Sequence, residues 1–456
     1  MQENKLGVMP IKKLIWNMSL PIMASMLVQA LYNIVDSMFV SWLDQDALTA
    51  VSLAFSAQQL MIGLSTGTAV GVNALMGRAL GAKDQKRADT VAVNGVFLAL
   101  VGAVLIAVLG LSCSNALFSF QTDDPNIIRY GNEYLTVVAG CSFTLFGQVI
   151  FERLLQGTGR SVYSMYTQGL GAIINIILDP IFIFTLGMGV RGAAIATVIG
   201  QLCAMCLAYY FNRTKNPDIT LRFRGFRPDL SVIGGIYAIG LPSAVMMVVA
   251  SVMTFAFNKI LIVYHAFHET AATAFGVYFK LNSFIFMPVF GMNNGIVPIL
   301  SFNYGARNKA RMLETVRRSV AYACLILGCG TLIFHLVPRT LLGIFKAEEA
   351  LMAAGVPCLR IISVSFPIAG ACISLITVLQ ALGHSLSSLL ISFVRQLIVL
   401  VPAAYVLARY GAAVGNSNLV WWSFPAAEVV ALVITLLLYR RIYRTVIAPL
   451  PEAGRP

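Results

Sequence analysis

The chain has 456 residues, 58% of them hydrophobic and 11% charged, with a formal net charge of +13 and a mean hydropathy of +0.80. So few charges cannot cover that much apolar surface in water, which excludes a soluble globular protein. Stretches of about 20 apolar residues recur, each long enough for a ~30 Å hydrocarbon core, and outer-membrane strand patterning is absent, so the expected class is an all-α polytopic membrane protein.

Twelve spans are predicted in chain order, approximately 14–42, 48–77, 90–112, 130–152, 161–186, 190–211, 232–262, 270–300, 316–337, 352–378, 386–408 and 418–439. The first is too long for a signal peptide and has no small-residue cleavage site behind it. With an inside N-terminus, 23 of the 32 Lys and Arg fall in cytoplasmic segments and 5, Lys346 among them, fall outside. The positive-inside rule therefore predicts that both termini are cytoplasmic, and it explains the basic balance without nucleic acid.

The first span carries Pro21, which should let it bend, and Asp36 in "LYNIVDSMFV", roughly 9 Å from its outer end at 1.5 Å per residue. In span five, Asn175 and Asp179 of "NIILDPIFIF" stand i, i+4 and so share a helix face. Pro180 follows and frees a carbonyl one turn back. Thr197 lies seven residues into span six, and it and Asp179 both come out roughly 10 Å from the outer surface. Two acids, an amide and a hydroxyl thus share one depth. An acid inside a span costs about 2.5–3.5 kcal/mol on the insertion scale. Two carboxylates in low dielectric cannot both stay ionised cheaply, so the group should hold a small cation, H⁺ or Na⁺. The plainer reading is structural hydrogen bonding between helices.

At an offset of 224 residues the chain repeats itself. "LGAKDQKRA" meets "YGARNKARM", "LLQGTGRS" meets "VLQALGHS", and Gly67-x-x-x-Gly71 meets Gly291-x-x-x-Gly295. Near the starts of the repeats, Pro21 meets Pro242 at an offset of 221. Six spans separate equivalent points, so the repeat is parallel. The expected organisation is an N-terminal six-helix lobe (1–211), a cytoplasmic linker (212–231) containing "NRTKNPDITLRFRGFRP", a second six-helix lobe (232–445) and a tail (446–456). Rocking of two such lobes about a central cleft is a transporter plan.

The second lobe lacks an acid cluster. Its intramembrane charges are Lys259, Lys280, Arg360, Arg395 and Glu428. Lys280, Met253, Phe279 and Met287 are candidates for lining a substrate cavity, although such Phe and Met residues more often face core or lipid. The eight cysteines should only pack. No phosphate-binding loop, nucleophile elbow or His pair of metal-ligand spacing occurs, the four histidines being His265, His268, His335 and His384. An enzyme is therefore not expected.

The duplicated twelve-helix plan, "LYNIVDSMFV", the Gly81-Ala82 and Gly305-Ala306 loops, "NIILDPIFIF" and "GVRGAAIAT" together resemble the multidrug and toxic compound extrusion (MATE) family over essentially the whole chain. The resemblance is nearest to the branch related to the DNA-damage-inducible protein F. It implies a cation site at Asp36, Asn175, Asp179 and Thr197, a kinking role for Pro21, and no cofactor beyond the coupling H⁺ or Na⁺. It further implies antiport: small amphipathic, often cationic, compounds leave through the plasma membrane by way of a monomer in contact with lipid. Spans seven and ten hold no Asp or Glu, so the acids that another branch carries there are missing. Flipping of a lipid-linked saccharide is the alternative.

Overall fold

The computed structural model describes residues 4–265, 269–345 and 349–451. Lys346, Arg455 and His268 lie outside them. Among the described residues there are helices and no strands. Ten helices are each long and apolar enough to cross a bilayer: Ile11–Ser41, Asp46–Gly81, Gln85–Gln121, Ser161–Thr185, Gly189–Thr214, Leu230–Tyr264, Thr270–Gly305, Lys309–Leu336, Ser385–Val414 and Ser417–Ile447. Two further crossings are broken pairs, Pro125–Gly140 with Phe143–Gly157, bent by 47°, and Glu349–Ser363 with Phe366–Ala381, bent by 52°. They complete the twelve predicted spans as the fourth and the tenth.

The breaks need polar help, because backbone groups freed inside hydrocarbon must find partners within the protein. At the first break, Ser142 Oγ donates to the Ala103 carbonyl of span three at 2.8 Å. At the second, Thr331 Oγ1 of span nine donates to the Ser363 carbonyl at 2.7 Å. The same span in each half splints the same bend.

Other local devices are duplicated too. Asp84 caps span three by accepting from the Arg87 N–H at 2.9 Å. Its counterpart 224 residues on, Asn308, caps span nine through the Arg311 N–H at 3.2 Å. Just before each cap a non-glycine residue turns left-handed, Lys83 at φ 59° and Arg307 at φ 54°. The tight turns after spans four and ten use Gly159 at φ 88° and Gly383 at φ 78°, where a Cβ would be strained.

The described chain divides into two compact units. One runs to Ala244 and takes in Ser301–Ala306; the other comprises Val245–Leu300 and the described residues from Arg307 onward. The start of span seven joins the first unit through glycine. A Cβ on Gly71 would run into the Ile236 carbonyl, and one on Gly81 into that of Phe302. Outer faces stay apolar: Leu100, Val104, Val108 and Leu111 of span three are exposed at helical spacing. That face suits lipid and would be costly in water.

Pro21 does not divide span one, which runs from Ile11 to Ser41 as a single helix. Ser25 Oγ donates back to the Pro21 carbonyl at 2.9 Å. Proline carries no N–H, so the carbonyl one turn earlier, on Asn17, loses its helical donor.

Candidate functional site

Three helices of the first unit bring the four predicted residues together. Span five crosses span six at a pair of glycines: a Cβ on Gly171 would sit 3.0 Å from the Gly200 carbonyl oxygen, and one on Gly200 would sit 2.7 Å from that of Gly171. The backbones can therefore approach, and Asn175, one turn beyond Gly171, reaches across. Its Nδ2 donates to Asp179 Oδ1 at 3.2 Å on its own helix and lies 3.3 Å from Thr197 Oγ1 on span six. Asp179 is followed by Pro180 and a π-helical turn, Ile181–Thr185, a local widening that often accompanies functional sites.

Span one supplies the other acid. Asp36 is 8% exposed and Asp179 wholly buried, and their carboxyl groups lie within hydrogen-bonding reach of one another. Among the described residues, Asp36 Oδ1, Asp179 Oδ2 and Asn175 Oδ1 accept from no side-chain or backbone donor. Two carboxyl groups facing each other in a low-dielectric interior are compatible only when a proton or another small cation sits between them.

A family model described as MatE matches residues 21–181 and 242–406, more than half of the chain. The chain belongs to the MATE family. The matched stretches begin at Pro21 and Pro242, the two prolines that the internal repeat superposes. A multidrug export protein MepA from Staphylococcus haemolyticus (strain JCSC1435) is 25% identical over 429 residues, covering 94% of this chain and 93% of the relative. MepA from Staphylococcus aureus (strain MRSA252) is 24% identical, covering 94% of each. Among solved structures, a MOP superfamily transporter from Pyrococcus furiosus, described as having a binding pocket of reverse polarity that suggests a different function, superposes with a TM-score of 0.91. It is 26% identical and covers 98% of this chain and 99% of its own. An outward-facing multidrug resistance MATE transporter superposes at 0.90 with the same identity and coverage. This MATE protein is thus a multi-pass membrane transporter rather than an enzyme.

Sequence reasoning missed part of the polar interior of the MATE chain. Glu152, the last residue of predicted span four, was not singled out from the sequence. It is 3% exposed. Its Oε1 accepts from Gln148 Nε2 at 3.1 Å and Thr167 Oγ1 at 3.0 Å, and its Oε2 from Gln168 Nε2 at 3.0 Å. One signal was available: Gln168, Asn175 and Asp179 fall at i, i+7 and i+11, a single face of span five.

The second unit treats its candidates differently. Met253 is buried, Phe279 and Met287 are half-buried, and Lys280 is exposed. Phe279 stands edge-on to Phe275 at 4.8 Å, and the Lys280 ammonium lies 5.9 Å from the Phe345 ring centre. Arg395 and Glu428 pair at 3.3 Å between spans eleven and twelve. Among the described residues no group of three or more His, Cys, Asp or Glu could hold a metal ion.

Proposed function

We propose that this MATE transporter is a secondary antiporter that exports small amphipathic, often cationic, compounds in exchange for protons entering the cell through Asp36 and Asp179. The observation that carries the reading is the facing carboxyl pair, with Asn175 and Thr197 alongside. Two carboxyl groups so close together favour holding a proton or another small cation, and losing it leaves two anions side by side in a dry interior. The pair is therefore an acceptor for one small positive charge, and a cationic cargo competes with that charge electrostatically. Sodium is the other ion that such hard oxygens would take. The names of the MepA relatives support a drug-like cargo, and the positive-inside count supports a plasma-membrane orientation with cytoplasmic termini.

The energetics suffice without ATP. One proton falling through ~150 mV yields about 3.5 kcal/mol, which sustains a gradient of a few hundredfold for a neutral cargo; a monovalent cation exchanged one for one moves no net charge, and the pH difference then drives it. A lipid-like cargo is the alternative that the transport assay separates.

The test is ethidium export from proteoliposomes under separately imposed proton and sodium gradients, with fluorescent lipid flipping assayed alongside. Proton-driven dye movement supports the proposal. Movement driven by sodium alone, or lipid flipping without dye movement, overturns it.

A further inference from the structure

A cavity of about 70 Å³ is lined by Gln29, Tyr32, Gln148, Gln168, Asn175 and Thr197, among others; it touches the hydrogen-bond partners of Asp179 and Glu152 rather than the acids themselves. A water occupies roughly 30 Å³ in the liquid, so the space admits about two. One end of the lining belongs to the aspartate site, through Asn175 and Thr197; the other belongs to the Glu152 cradle, through Gln148 and Gln168. Tyr32, hydrogen-bonded to Gln29, lies within electrostatic reach of Asp36, Glu152 and Asp179 alike. Two buried acceptors on the lining residues, Asn175 Oδ1 and Gln168 Oε1, have no partner among the described residues. The cavity thus touches the hydrogen-bond partners of both acid sites, with Leu145, Val149, Gly171, Ala172 and Gly200 making up the apolar part of its wall.

The cradle itself is unusual for a structural acid. All three of its donors are neutral, two amides and a hydroxyl, and among the described residues the charged group acting on Glu152 is Arg153 on its own helix. Arg153 also bonds Gln156 Oε1 at 3.1 Å. Spans two, three and six, packed on the same helix, add no titratable group to that set among the described residues. Span five adds only neutral side chains, and span one adds Tyr32. Among the described residues, the charged groups set around this cavity are thus the acids Asp36, Asp179 and Glu152 and the single guanidinium of Arg153. That balance leaves surplus negative charge unless protons are held.

We propose that Glu152 is a second proton-carrying residue of the transporter, receiving through this cavity the proton that Asp36 and Asp179 release and passing it toward the cytoplasmic side. The step balances simply. One O–H bond breaks at the aspartate pair, one forms at the Glu152 carboxylate, and the negative charge moves the other way. The proposal deepens the antiport reading and rests on it.

The test uses full-length protein in proteoliposomes, with ethidium as the probe and two readouts: dye transport driven by a pH gradient, and dye-for-dye counterflow without a gradient. Glu152→Gln keeps the shape and loses the proton site. It should slow driven transport about a hundredfold, the low end for loss of a positioned proton carrier, while counterflow stays within about twofold of wild type. Glu152→Asp should restore part of the driven rate. Unchanged driven transport in Glu152→Gln, or equal loss of both readouts in protein that folds, overturns the relay. If Glu152→Gln does not accumulate, Thr167→Val decides. Removing one donor to the carboxylate disfavours its charged form, so the pH of half-maximal driven transport must move upward, and no movement overturns the relay. A wild-type protein with counterflow but no proton-driven transport defeats the antiport reading itself, a signature distinct from failure of the relay alone.

Discussion

Asp36 stands fifteen residues after Pro21 in span one; fifteen residues after Pro242, in span seven, stands Phe257. At the offset of 224, Asn175 corresponds to Val399, Asp179 to Ala403, Thr197 to Trp421 and Glu152 to Ile376. The polar site of the first half thus has an apolar counterpart in the second. There Phe257 packs against Phe275 at 4.5 Å and Trp421 at 6.0 Å, with Phe257, Phe275 and Trp421 all fully buried. Even the helix crossing has changed. Gly171 and Gly200 let two backbones touch, whereas their counterparts are Arg395 and Phe424.

What remained the same is backbone architecture: the caps at Asp84 and Asn308, the left-handed turns, and the splinted bends in spans four and ten. A duplicated fold needs both copies of those features, because unsatisfied backbone groups are costly anywhere in a bilayer. An acid cluster in hydrocarbon is costly as well, so it is expected where it has work to do. The second half fills the same positions with apolar side chains, two of them the packed rings of Phe257 and Trp421.

Substitutions can separate the two roles. The largest effect belongs to Asp36→Asn and Asp179→Asn, each expected to reduce pH-driven ethidium export to the level of empty liposomes while thermal stability is kept. Phe257→Ala should do the reverse, costing about 3 kcal/mol of stability while leaving the pH profile of export unchanged. That is the lower end of large-to-small losses, because in the unfolded state the ring would rest in lipid rather than water. A denaturation midpoint measured beside the transport assay checks both variants, and loss of coupling in Phe257→Ala would break the comparison.

Gly171→Ala should have an intermediate effect. Its methyl group would press on the Gly200 carbonyl, costing about 1–3 kcal/mol as overpacking does and loosening the Asn175–Thr197 contact. The expected readout is a lower denaturation midpoint together with a displaced pH optimum for export.

The smallest effect concerns Lys5, before the first span. Its Nζ donates to Asn17 Oδ1 at 2.6 Å, while burial and then the Arg160 guanidinium lower its pKa from the ordinary 10.5. Between the folded value and 10.5 the unfolded chain binds more protons than the folded one. Stability should therefore rise as the pH climbs through that window and level off above it. Lys5→Met should flatten this alkaline rise in thermal melts without affecting export.

The outline of the molecule was readable from hydropathy because each span is a long apolar run closed by charge. The site was readable because acids within such runs are rare and a rise of 1.5 Å per residue set Asp36, Asp179 and Thr197 at similar depth. The bends escaped detection. Apolar residues run on through Cys141 and Ser142, and the serine that splints the break looks like any other small polar residue until span three lies beside it. Glu152 escaped for a similar reason: its partners lie within four residues on its own helix and fifteen or sixteen residues away on span five. Only packing shows that these face inward. The pairing of Arg395 with Glu428 likewise depends on how spans eleven and twelve meet.

The most direct measurement is the proton itself. Ethidium added to the purified transporter in weakly buffered, mildly acidic detergent solution should release protons in proportion to the dye bound, and Asp36→Asn and Asp179→Asn should release none. Dye that binds the wild-type protein with no proton released would contradict the exchange of cargo for a proton at Asp36 and Asp179.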